Sequence, residues 1–149
     1  MISVITEDEF HRIDPMRRVV SHENARRFAC MHLPQGEWSF GLSWPSDLVE
    51  PTLVEDPKSS TWWVGVDVRL ACIASDGGIR FAVGLNSPLL LIKVFPSLTI
   101  ALCVNGFLVI GNDAAILHSE ESAESLDSVD QIGDKFIISL LDGGSRTYP

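Results

Sequence analysis

Residues 89–111, LLLIKVFPSLTIALCVNGFLVIG, read at first sight as a membrane span. A transmembrane helix needs about 20 continuous apolar residues. This run is cut by Lys93, by Pro96-Ser97 and by Asn105-Gly106. Asn-Gly between two alternating apolar stretches is a strong hairpin signal, because both residues tolerate the positive φ of a type I′ turn. The reading is three antiparallel strands, at about 89–95, 98–104 and 107–111, with Asn112-Asp113 turning the chain into a fourth over about 115–119.

Upstream, an Asp76-Gly77 loop sets Leu70 opposite Val83, Cys72 opposite Phe81 and Ala74 opposite Ile79, with Arg69 facing Gly84 and Ile73 facing Arg80. Counting back with period 2 puts Trp62, Val64, Val66 and Val68 on that apolar face. Trp63, Asp67 and Arg69 then fall on a mixed face. In the later hairpin, Ile100, Leu102, Val104, Phe107 and Val109 occupy one face, and Thr99, Ala101, Cys103, Leu108 and Ile110 the other. Both faces are apolar, so a covering layer is expected, and the N-terminal segments are the candidates for it.

Those segments carry helix signals. Thr6 with Glu9 is a capping box, and Asp14-Pro15 caps a second turn. FACMHL and the alternating Trp38, Phe40, Leu42 and Trp44 predict a hairpin across Pro34-Gln35-Gly36. Residues 45–60, with three prolines and clustered acids, read as a long surface loop, and SEESAESLDSVDQIGD as an exposed helix or loop before a last strand at FIISLL. ASDGGIR and LLDGGSR share a DGG-x-Arg pattern, read as two independent good turns.

The fold class expected is mainly β: an antiparallel meander forming a β-sandwich or open barrel with a short helical or irregular N-terminal segment, in a single domain over residues 1–149. The short-linked strands from Trp62 to Ser119 superficially resemble a β-propeller blade and a half, but the chain is too short for the usual four or more blades and lacks a blade signature, so no family is assigned.

The formal charge is −9 over 149 residues, which disfavours nucleic acid and anionic membrane as partners and favours a basic protein. Three widely spaced cysteines among apolar neighbours suit a reduced, cytoplasmic protein, and Glu7, Asp8 and Glu9 stand where an export signal needs positive charge. No GxSxG, GxxxxGK[ST] or GxGxxG pattern is present, and His11, His22, His32 and His118 form no zinc-ligand spacing. No catalytic residue, metal site or cofactor is therefore assigned. Cys30 and His32 fall on one face of a strand, an arrangement that needs a third group before it carries chemistry.

Two surfaces remain as binding candidates. Trp63, Asp67, Arg69 and Arg80 form a mixed patch for a ligand or partner. Glu120, Glu121, Glu124, Asp127 and Asp130 form an acidic docking surface. The arginines at 12, 17, 18, 26 and 27 are expected to pair with Glu7, Asp8, Glu23 or the acidic body. The functional expectation is a non-enzymatic, cytoplasmic protein-binding module, of the inhibitor or immunity type among others. The alternatives are a small-ligand-binding protein or enzyme with a pocket at the mouth of the curved sheet, and a subunit of a homo-oligomer.

Overall fold

The computed structural model describes residues 1–34, 36 and 38–149. Strand β1 (Ile2–Val4) leads to helix α1 (Glu7–Arg12), which starts where its capping box predicts: the Thr6 hydroxyl accepts from Glu9 N–H and the Glu9 carboxylate accepts from Thr6 N–H. A 3₁₀ turn over Pro15–Arg17 follows, capped by Asp14. Strands β2 (Arg27–His32) and β3 (Ser39–Trp44) form the predicted hairpin, and β1 adds to its free side. Gln35 and Glu37 lie outside the described residues, and with them part of the Pro34-Gln35-Gly36 turn. Helix α1 lays Phe10 on Phe28, ring centroids 5.4 Å apart.

Strands β4 (Thr52–Asp56), β5 (Thr61–Val66), β6 (Arg69–Ala74) and β7 (Ile79–Gly84) make a four-stranded antiparallel meander. Strand β4 corrects the reading of 45–60 as loop. Pro51 and Pro57 bound a strand here, and Leu53 and Val54 pair with Val64 and Trp63. The face assignment is also corrected. Residues 62–74 are not one strand but a hairpin turning at Asp67-Val68, with Asp67 at φ 53°. A two-residue connection reverses the period-2 count. Trp63 therefore pairs with Cys72, and Trp62 with Ile73.

Strands β8 (Leu89–Val94), β9 (Leu98–Cys103), β10 (Gly106–Gly111) and β11 (Ile116–Glu121) repeat the meander, so the apolar run is folded sheet. No helix among the described residues is long and apolar enough to cross a membrane. The turn falls one residue earlier than predicted, at Val104-Asn105, and neither Asn105 nor Gly106 has positive φ. Gly106 is needed for another reason: a Cβ there would sit 2.7 Å from the Glu120 carbonyl oxygen of the paired strand. Strands β12 (Leu126–Ile132), β13 (Lys135–Leu140) and β14 (Ser145–Tyr148) complete the chain. Strand β12 corrects the helix-or-loop reading of the acidic segment. Leu126 and Val129 are buried while Asp127 and Asp130 are exposed, enough for one strand at a sheet edge.

The chain divides into two compact units, Met1–Gly84 and Leu85–Pro149. Each stacks a three-stranded sheet on a four-stranded one. In the first, Ala29, Met31, Phe40, Leu42 and Trp44 meet Val64, Val66, Ala71 and Ile73. In the second, Ile100, Leu102, Phe107 and Val109 meet Leu126, Val129, Phe136 and Ile138. The cover over this face of β9 and β10 is thus the β12–β14 sheet. The N-terminal segments pack instead on β2 and β3. The mainly β, antiparallel meander is as the sequence predicts.

Candidate functional site

The first predicted patch is dispersed by the Asp67-Val68 hairpin. Trp63 is 3% exposed and meets Phe81 edge-on at 5.6 Å. Asp67 is in the turn, Arg69 is exposed opposite Gly84, and Arg80 is the extra residue of a bulge at the far end of β7. Trp62, read as core, is the more accessible indole. It lines a cavity of about 330 Å³ with Leu33, Pro34, Glu55, Ser60 and Ser75.

Three of the five N-terminal arginines are engaged within Met1–Gly84, and Arg27 alone of these meets the expected acidic body. Arg17 stacks 3.7 Å over the Trp38 ring. Arg18 donates to the carbonyls of Ile13 and His11, and Arg27 pairs with Asp47 and Glu50. His22 binds the Ser43 carbonyl through Nδ1 and accepts from Val68 N–H through Nε2, so it holds the Asp67-Val68 turn.

The acidic surface separates into engaged and open carboxylates. Glu120 accepts from Arg146 at 2.9 Å and contacts His118 at 3.3 Å. The hydrogen bond from Arg146 holds its carboxyl below the usual range. Glu121 accepts from Asn86 at 2.7 Å, and Asp130 pairs with Lys93 at 3.3 Å. These three carboxylates staple the second unit. Glu124 and Asp127 have no ion pair among the described residues.

Beside Glu124 lies a feature the sequence reading missed, and it emerges from three turns with the same hydrogen-bond pattern. At Ala74–Gly78, Ala74 N–H donates to Gly78 O, Gly77 N–H to Ala74 O and Gly78 N–H to Asp76 Oδ1. At Leu140–Gly144, the same three bonds run from Leu140, Gly143 and Gly144, with Asp142 as the acceptor. At Gly111–Ala115, they run from Gly111, Ala114 and Ala115, with Asp113. The residue after each aspartate has positive φ: Gly77 at 91°, Ala114 at 62° and Gly143 at 100°. Each turn follows a six-residue strand that begins after a two-residue connection. A three-stranded unit thus recurs three times, which two isolated DGG matches did not disclose.

Aligned in this way, the turns place Ser75, Asn112 and Leu141 at one position. Polar residues suit an exposed turn; Leu141 is 69% exposed. It lines an open groove of about 410 Å³ with Glu124, Ser125 and Asp142, tied down by its N–H bond to Ser125 O at 2.9 Å. The groove sets an exposed apolar side chain beside two carboxylates that no basic side chain neutralises among the described residues. Such a surface suits the stem and head group of a lysine or arginine. The signal for it was in LLDGG, where an apolar residue occupies a turn position.

No protein-family model matches this chain, and no curated protein matches it. Among solved structures, it is similar to the WD40 domain of Neurospora crassa Pan2, with a TM-score of 0.48 and 11% identity over 66% of this chain and 37% of that one. The chain therefore spans well under two thirds of the length of that domain.

Proposed function

We propose that this chain is a protein-binding module that docks a basic partner on the open acidic face of its second unit. The contact centres on Leu141, with Glu124 and Asp142 beside it. The observation that carries this reading is Leu141 itself, an exposed leucine at a turn position filled by Ser75 and Asn112 elsewhere. An apolar anchor rimmed by unneutralised charge is how a docking surface combines affinity with steering. Glu120, Glu121 and Asp130 add field but not contact, since their carboxylates already have partners. An inhibitor or immunity-type protein in a reducing, cytoplasmic setting fits this reading, and its three cysteines are free.

Affinity capture over a salt titration tests the proposal. A partner retained at low ionic strength is released as salt rises, and Glu124→Lys/Asp142→Lys fails to retain it at any salt. Retention by the double variant at wild-type level overturns the proposal.

A further inference from the structure

We propose that Cys30 is a thiol–disulfide exchange site, with His32 as its base and Ser39 as the residue that positions the imidazole. The pair lies two apart on β2, on the face opposite the core residues Ala29 and Met31. Cys30 Sγ is 3.5 Å from His32 Nε2, and His32 Nδ1 is 3.2 Å from the hydroxyl of Ser39, its cross-strand partner on β3. The third group that the Cys-x-His spacing lacked is therefore supplied by the neighbouring strand.

One protonation state uses every contact. With its proton on Nδ1, the imidazole donates to Ser39 and offers the Nε2 lone pair to the thiol. After the thiol proton moves to Nε2, both ring N–H groups keep an acceptor, the thiolate and the Ser39 hydroxyl. Forming the ion pair thus sacrifices no hydrogen bond, the condition for activating a thiol nucleophile. Cys30 is half-buried and His32 exposed, so a small reagent reaches the sulfur.

The other two thiols provide the contrast. Cys72 is buried, and burial raises its pKa; burial pushes Cys103 up to about 11. Of three free cysteines, the fold gives one an imidazole and withdraws two.

The co-reactant class is the disulfide of a low-molecular-weight thiol. The Cys30 thiolate attacks one sulfur of that disulfide. A sulfur–sulfur bond forms to Cys30 as the original one breaks, and the leaving thiolate takes the proton held on His32 Nε2. The products are a mixed disulfide at Cys30 and one free thiol: the Cys30 sulfur is oxidised, one sulfur of the small disulfide is reduced, and that disulfide is the only oxidant the step needs.

The test treats the full folded chain with oxidised glutathione and follows adduct formation by intact mass and peptide mapping. One glutathionyl group is expected, on Cys30, and none on Cys30→Ser. His32→Gln, which keeps a polar side chain at an exposed position, slows the reaction by at least about tenfold, a threshold set beneath the roughly 10²–10⁴-fold that a positioned base supplies. Ser39→Ala slows it less, and Ser39→Thr restores the rate by returning a hydroxyl. Modification of Cys72 or Cys103 in the folded chain, or a His32→Gln rate equal to wild type, overturns the proposal.

Discussion

The turns at Ala74–Gly78 and Leu140–Gly144 share one backbone and differ at the tip. In both, an aspartate accepts from the N–H two residues on, and a glycine takes the left-handed conformation. That chemistry fixes the loop whatever residue precedes the aspartate. Ser75 and Leu141 are therefore free choices, and a leucine in such a place answers to something outside the turn. The surroundings also differ. A Cβ on Gly77 would meet the Trp38 ring at 2.6 Å, whereas nothing lies within 4 Å of one on Gly143. The first turn supports an indole, while the second presents its tip to solvent.

The largest expected effect separates the two glycines. Gly77→Ala imposes left-handed strain, displaces Trp38 and loosens its stacking with Arg17, for a loss of about 2–3 kcal/mol in denaturant unfolding. Gly143→Ala meets only the strain, about 1–2 kcal/mol. Equal losses would break the contrast.

Next in size, Asp76→Ala and Asp142→Ala should each cost about 0.5–1.5 kcal/mol, the worth of one hydrogen bond. Similar values in urea titrations would show that the two aspartates do the same structural work, leaving only Asp142 with a binding role.

Smaller still is the Glu120–Arg146 pair, whose side chains are 35% and 39% exposed. Because the hydrogen bond from Arg146 holds the folded carboxyl below the usual glutamate range, its contribution is present above the unfolded pKa of about 4.3. It is lost as pH falls through the folded value. Screening keeps it under about 1 kcal/mol. Glu120→Gln should lower stability at pH 7 by that small amount, under about 1 kcal/mol, and remove that part of the acid dependence of unfolding.

The smallest effect on stability, within about 0.5 kcal/mol, is expected for Leu141→Ser, since the side chain is already exposed. A larger loss by thermal unfolding would mean that Leu141 is a packing residue and would remove the distinction between the tips.

How far sequence could reach follows from the same logic of local signals. Strands β9 and β10 were legible because apolar residues and punctuation agree, and α1 because its capping box is explicit. Strand β12 was not, since only Leu126 and Val129 face inward among acids, and the sheet edge tolerates that. The Asp67-Val68 turn was hidden by a β-branched residue in a place where glycine or asparagine is the usual mark. Missing it moved Trp63 to the wrong face. The acids of the candidate site were visible as a run, but which of them are open depends on Arg146, Asn86 and Lys93, partners brought in from other strands. Leu141 needed the alignment of ASDGG, GNDAA and LLDGG, which only the shared hydrogen bonds reveal.

The most direct test of the central claim is capture of the partner at low salt by wild type, Leu141→Ser and Ser75→Leu side by side, with the bound partner quantified. Leu141→Ser is predicted to lose more than about tenfold in affinity while keeping wild-type stability, as expected for a buried apolar anchor, and Ser75→Leu is predicted to bind as wild type. Undiminished binding by Leu141→Ser would contradict the account.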